Sequence, residues 1–282
     1  MTAATPAFTL DMEARLGDLL SSFKLPTISA ELVERMTKAG KQDALPVILE
    51  VCEQEASERH SRRVDRLRKA SNLPPGKTFE AFKEHHLPRP LMQKLRELAR
   101  ADFLERAANV LMFGLPGVGK SHAAAAIGHA LVEAGHAVLF TPAYKLVQEL
   151  LAAKRDLVLP RTLRRLDFFD LLILDDIGYV QQSPEEAEVI FTMMAERYER
   201  RSILITSNLV FSAWDRIFKN PMATASAIDR LVHHSVILEF AEVESYRGRK
   251  QSSDGKTEED AEPKPRKKPG HVQRRERVGA AL

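Results

Sequence analysis

Apolar residues recur along this chain in two rhythms. Up to Asn72 they come at helical spacing. Leu16, Leu19, Leu20 and Phe23 predict a first helix, and Ser29 to Lys38 predict a second with Gly40 beyond it. A longer helix begins near Asp43, tolerates Pro46 in its first turn, sets Leu45, Leu49 and Cys52 on one side and runs to Asn72. From Asn109 onward the apolar residues instead form short unbroken runs: Asn109 to Phe113, His136 to Thr141, Leu171 to Leu174, Ser202 to Asn208 and Val236 to Phe240. Runs of that length without polar alternation are strands buried on both faces. Between them lie helical patterns at His122 to Glu133, Tyr144 to Leu166, Glu185 to Arg200 and Trp214 to Arg230. Strand and helix therefore alternate, which predicts an α/β fold: a parallel sheet flanked by helices, with ligand chemistry at the carboxyl ends of the strands.

The change of rhythm marks the expected domains. Leu73-Pro74-Pro75-Gly76 removes backbone donors and favours turns, so a small all-helical N-terminal domain is expected over 1–75. Residues 76–108 read as a linker and a helix: Phe79 and Phe82 pack the linker onto the next domain, and Pro90 opens a helix with Leu91, Leu95 and Leu98 as its stripe. The α/β core spans 109–250, closing at Tyr246-Arg247. Residues 251–282 have almost no apolar content, with an acidic block followed by Lys and Arg, and are expected to be a disordered charged tail.

Composition adds mainly exclusions. Hydrophobic residues make up 44% and charged residues 29% of 282, with no apolar run near the roughly 20 residues that cross a bilayer and no signal-peptide pattern. A cytoplasmic protein without a membrane partner is expected. The single cysteine, Cys52, excludes an internal disulfide or cysteine-clustered zinc site, and its apolar neighbours predict a small buried side chain. A net charge of +3 is too mild to imply nucleic-acid binding by itself, so local clusters must supply it. Two exist. Lys154, Arg155, Arg161, Arg164 and Arg165 gather around Pro160 and are expected to contact DNA phosphates. The helix to Asn72 carries Arg59, Arg62, Arg63, Arg66, Arg68 and Lys69 in its second half, which reads either as a solvated helix with intrahelical ion pairs or as a second phosphate-contacting end.

The chemistry centres on Gly114-Leu115-Pro116-Gly117-Val118-Gly119-Lys120-Ser121, which matches the phosphate-binding loop at every specified position and lies between a strand and a helix. Glycines let backbone N–H groups turn inward on a polyphosphate, with the positive end of the next helix, starting near His122, behind them. Lys120 would reach the terminal phosphates of ATP, and Ser121 would take one position on Mg2+. Asp175 is the expected second magnesium anchor, on a strand expected to lie beside the one feeding the loop. Asp176 would then orient the attacking water, with Asn208 holding the same water. Asp176 can also be read as a capping or solvated acid, and Asn208 as a strand-ending turn residue. His233 and His234 are adjacent, so on a helix or strand they would point in different directions, which favours a structural reading over a metal site.

These residues give the chain a resemblance to the AAA+ ATPases, and within them to the IstB-like transposition helpers and the related DnaC helicase loaders. It covers about residues 10 to 249. It rests on Gly114 to Ser121, Leu171 to Gly178, Arg197 to Arg200, Thr206-Ser207-Asn208, Asp229 to His234 and Ser245-Tyr246-Arg247. The resemblance implies that Arg230 is presented to a neighbouring subunit's nucleotide, although an arginine after aspartate on a helix can also be an intrahelical pair, and that Arg247 lies near the nucleotide. It implies an ATPase that forms ATP-dependent homo-oligomers on double-stranded DNA and recruits or stimulates a cognate transposase. Two alternatives stay open at this level: a replicative helicase loader, and a nucleotide-gated module without meaningful hydrolysis. Where many AAA+ proteins have Asp-Glu, this chain has Asp175-Asp176, and the shorter carboxylate implies slow unstimulated turnover. The superfamily's helical lid is reduced here, as in the resembled proteins.

Overall fold

Residues 6–81, 87–179, 183–210, 213–214, 228–229 and 231–240 are described by the structure, a computed structural model. Helices α1 (Pro6–Ser22), α2 (Pro26–Lys38) and α3 (Leu45–Ala70) come first. Lys24, at φ 61°, turns α1 into α2, and Ser29 Oγ donates to Gly17 O at 2.9 Å across the pair. Leu16, Leu20 and Leu45 are the buried centre of this small cluster, with Phe23, Leu32, Leu49 and Cys52 packed around it. Cys52 is half-buried rather than buried. The cluster is too small for that thiol to be enclosed.

Helix α3 belongs to two cores. Its first turns sit on α1, whereas Val64 and Leu67 are buried in the main hydrophobic core with Leu131 and Val132. Polar contacts repeat the point: Arg68 Nη2 pairs with Glu133 at 2.6 Å, and Arg63 Nε donates to Gly135 O at 3.2 Å. Beyond the helix, Phe140 N donates to Ser71 O at 2.7 Å, and a His129 ring nitrogen lies 3.1 Å from Pro74 O. The chain does turn at 73–76, but no gap in packing opens there. Of the basic residues on α3, Arg59 and Arg62 pair with Glu55 and Arg68 with Asp65 and Glu133. The ion-paired reading of this helix therefore holds for those three.

Helices α4 (Arg89–Leu98) and α5 (Asp102–Glu105) lead into β1 (Asn109–Phe113), followed by α6 (Lys120–Glu133), β2 (Val138–Pro142), α7 (Ala143–Arg155), α8 (Leu159–Leu166), β3 (Leu171–Asp175), α9 (Pro184–Arg197), β4 (Ser202–Ser207) and β5 (Ser235–Glu239). The expected helix over 144–166 is two helices. Leu157 takes a left-handed φ of 57°, and Pro160 in the first turn of α8 has no N–H to continue a ladder. At α9, Ser183 and Glu186 form a reciprocal capping box that fixes its first turn.

All strand pairs are parallel, in the order β2-β3-β4-β1-β5. Successive side chains point to opposite faces, and the core divides accordingly. Val110, Met112, Leu171, Ile173 and Leu204 face a layer containing α4 and α6. Leu111, Phe113, Leu172, Leu174, Ile203 and Ile205 face one containing α7 and α9. This is the α/β layering expected from the unbroken apolar runs.

At the amino edge of the sheet lies a cation that is 1% exposed, Arg197. Its guanidinium donates to Leu166 O at 2.8 Å, Phe169 O at 2.9 Å and Ser202 O at 3.1 Å. Burial lowers its pKa to about 10, with nearby Asp167 opposing that shift. The side chain thus stays charged at neutral pH and ties the end of α8 and the entry to β3 onto β4.

Candidate nucleotide site

The loop after β1 is shaped by glycine. Gly117 and Gly119 have φ of 86° and 99°, where a β-carbon is strained. Val118 between them is 3% exposed and anchors the loop in the core, while Leu115 and Pro116 form its exposed tip. Lys120 opens α6 and is 8% exposed. Its ammonium donates to Gly114 O at 2.7 Å and Leu115 O at 2.9 Å, which places the charge over the loop. Ser121 comes next in the same first turn, half-buried. A ring nitrogen of His122 lies 3.0 Å from Thr78 O, so this residue ties the segment before α4 to the phosphate-loop helix.

The strand carrying Asp175 does not lie beside the strand feeding the loop. β4 separates β3 from β1, which corrects the adjacency expected from the sequence. Periodicity identifies strands but carries no information about their order. The intervening strand supplies the missing connection: the Thr206 hydroxyl donates to Asp175 Oδ1 at 2.7 Å and accepts from Asp176 N at 2.8 Å. Met112 on β1 is in register with Thr206, so one buried hydroxyl links the acidic pair to the strand beside the loop. Thr206 is the residue of this edge that sequence reasoning missed. The polar ending of an otherwise apolar strand, Thr206-Ser207-Asn208, was its only signal.

Asp176 sits at φ 63°, a left-handed conformation that Asp tolerates better than most residues. Its backbone reverses at the carboxyl edge, and the Thr206 bond holds it there. Beyond it, Gly178 approaches Asn208 so closely that an added β-carbon would lie 1.9 Å from Asn208 Oδ1. Asn208 is itself held in a tight turn, since Leu209 N donates to Ser207 Oγ at 3.0 Å and Ser207 Oγ donates to Leu209 O at 2.8 Å. Trp214 braces that turn through Nε1 to Leu209 O at 3.2 Å and packs on Phe113 at 6.3 Å. Asn208 Oδ1 is buried with no hydrogen-bond partner among the described residues, an arrangement that ordinarily costs about 1–3 kcal/mol.

The structure thus gathers Gly114 to Ser121, Asp175, Asp176 and Asn208 at one edge of the sheet. Arg230 and Arg247 lie outside the described residues, as do Phe82, most of the stretch 214–230 expected to be helical, and the tail. The basic residues of α7 and α8 fall into two sets. Lys154 pairs with Glu188 at 2.7 Å and Arg165 with Glu149, whereas Arg155, Arg161 and Arg164 are exposed with no acidic partner among the described residues. His233 and His234 occupy a turn rather than a helix or strand. Their rings meet at 4.2 Å, so the different directions expected of adjacent residues on a helix or strand do not apply.

Comparison with known proteins agrees with this geometry. The family described as IstB-like ATP binding protein matches residues 19–254. An insertion sequence ATP-binding protein of Sinorhizobium fredii (strain NBRC 101917 / NGR234) is 46% identical over 244 residues, covering 86% of this chain and 81% of that protein. The insertion sequence IS21 ATP-binding protein of Pseudomonas aeruginosa is 38% identical over 231 residues, covering 81% and 87%. Among solved structures, AMPPCP-bound DnaA from Aquifex aeolicus superposes with a TM-score of 0.52 at 17% identity, covering 66% of this chain and 57% of that one. DnaI superposes at 0.51 with 19% identity, covering 60% and 95%. At those identities the two structures share the fold. No helix among the described residues is long and apolar enough to cross a membrane.

Proposed function

The chain belongs to the family of IstB-like ATP-binding proteins, and we propose that it hydrolyses ATP as the helper of a DNA transposition system. The loop's backbone amides and Lys120 hold the polyphosphate. Ser121 and the Asp175 oxygen not bonded to Thr206 are the oxygens that would hold magnesium, an ion that lowers the negative charge on the β- and γ-phosphates when bound. Asp176 orients a water for attack. Asn208, with a buried acceptor in search of a donor, holds the same water.

The observation that carries hydrolysis rather than binding alone is the Asp175–Thr206–Asp176 bridge. It fixes the second carboxylate's backbone in a left-handed turn at the ligand edge, an arrangement that a simple phosphate cradle does not need. The transposition reading rests on relatives named for insertion sequences, whereas the replication proteins share only the fold. In this reading Arg230 completes a neighbouring subunit's site. Assembly then repeats the basic surface of α7 and α8 along duplex DNA and presents the complex to the cognate transposase.

Asp176→Asn separates the two activities. It should retain ATP affinity and lose steady-state ADP release with and without duplex DNA, because the amide keeps the shape but is a poor base. Turnover equal to the wild type would overturn the assignment of hydrolysis to this edge.

A further inference from the structure

At the amino edge, opposite the phosphate loop, Glu199, His233 and His234 each offer a ligand atom, and these atoms all lie within 4.8 Å of one another. We propose that they form a divalent transition-metal site of the zinc class, with three protein ligands and a fourth position for water. The proposal goes beyond the nucleotide chemistry and does not depend on it.

Two turns from distant parts of the chain build the cluster. Glu199 lies between α9 and β4 at a left-handed φ of 56°, and the histidines precede β5. The strands these turns lead into do not touch, because β1 runs between them. Asn109, at the start of β1, joins both. Its side chain accepts from Ile203 N at 3.0 Å and donates to Leu231 O at 3.3 Å, and its N–H donates to His234 O at 2.7 Å. The backbone on each side of the cluster is therefore fixed by a single residue that is 7% exposed.

The side chains suit the ion as well. Glu199 has no ion-pair partner among the described residues, because its neighbours are engaged elsewhere: Arg200 pairs with Asp167 and Glu196, and Arg201 with Asp170. The Tyr198 hydroxyl lies 3.2 Å from His233 Nδ1. If Nδ1–H donates to that oxygen, the lone pair is left on Nε2, and the tyrosine is the orienting partner that metal-bound histidines ordinarily have. Zinc bonds of about 2.0–2.2 Å place tetrahedral ligands roughly 3.3 Å apart, so modest rotamer shifts bring the three atoms onto one ion. Two imidazoles and one carboxylate favour zinc, cobalt or nickel over magnesium or calcium.

The test uses the untagged full chain stripped with a chelator, titrated with Co2+ and followed by its visible absorption, then competed with Zn2+. The wild type should take up one equivalent. His234→Ala and Glu199→Gln should each weaken Co2+ binding by about tenfold or more, since each removes one of three ligands. Replacing His85 and His86, the other adjacent histidine pair, with Ala should change nothing. Thermal unfolding of the metal-free variants checks that the fold survives. The proposal is overturned if the wild type shows no Co2+ absorption, or if removing His234 and Glu199 together leaves the titration unchanged.

Discussion

The two edges of this sheet use polar side chains in opposite ways. At the amino edge, Arg197 and Asn109 bond mainly to backbone: three carbonyls accept from one guanidinium, and one carboxamide joins β4 to Leu231, ahead of the turn before β5. At the carboxyl edge the polar side chains instead hold an acid and the backbone beside it, through Thr206, and Asn208 keeps a buried oxygen without a partner among the described residues. Arg197 Nε and Ser202 Oγ are likewise buried without a partner among the described residues at the amino edge, so what separates the two edges is the bridge between the acids rather than an unpaired atom. The amino edge joins strands through backbone carbonyls, and the carboxyl edge holds a pair of carboxylates beside the phosphate loop.

The largest effect should come from Lys120→Ala. It removes the charge proposed to face the β- and γ-phosphates, and truncating one partner of a desolvated charge pair costs about 2–5 kcal/mol. ATP affinity measured by calorimetry should fall by that amount with little change in denaturant midpoint. An affinity equal to the wild type would remove the loop from the functional edge and dissolve the contrast.

Arg197→Ala should do the reverse. Three carbonyls lose their donor and the guanidinium leaves a void, so unfolding free energy should drop by roughly 3 kcal/mol or more. ATP affinity measured below the new midpoint should hold. If affinity falls in step with stability, the two edges are coupled rather than separate.

How much of each edge is legible in the sequence depends on the same difference. The phosphate loop announces itself because its function needs particular residues at consecutive positions, and the strands because burial on both faces needs unbroken apolar runs. Asp175 and Asp176 are readable as acids ending such a run. Thr206 is not, because its role depends on β4 lying between β3 and β1, and strand order is a property of the crossovers. Arg197 stands out only as part of a motif, for a charged residue near a helix end reads as solvated until the carbonyls around it are seen. His233 and His234 escape a reading that assumes regular structure, since the chain makes a turn there. The break at Leu157 is hidden because the amphipathic pattern continues across it.

Thr206→Val tests the bridge with a smaller change. The isosteric side chain leaves Asp176 N–H without an acceptor and Asp175 without a donor, at a cost of about 1–3 kcal/mol in stability. Turnover should fall further than ATP affinity, since the loop is untouched while Asp176 loses its positioning. Thr206→Ser, which keeps the hydroxyl, should recover much of the turnover. A Val variant with unchanged turnover would make the bridge a feature of the fold alone.

The smallest effect per residue is expected on the basic surface, and it decides whether the amino edge takes part in DNA binding. Helix α8 ends at that edge, where Leu166 O and Phe169 O accept from Arg197. Arg197 thus fixes the helix that carries Arg161 and Arg164. An arginine already paired with an acid must give up that pair to reach a phosphate, so only charges without acidic partners add fully to DNA binding. Replacing Arg155, Arg161 and Arg164 with Ala should lower the slope of log affinity against log salt by up to about 0.9 for each phosphate no longer neutralised. Replacing Lys154 and Arg165 should lower it by less per residue, because Glu188 and Glu149 already face them. Binding should weaken alike on every duplex sequence, since phosphates carry no base identity. Equal losses per residue from the two sets would show that the acids swing away on binding. A slope unchanged by either set would place the DNA on another face and leave the amino edge without a part in DNA binding.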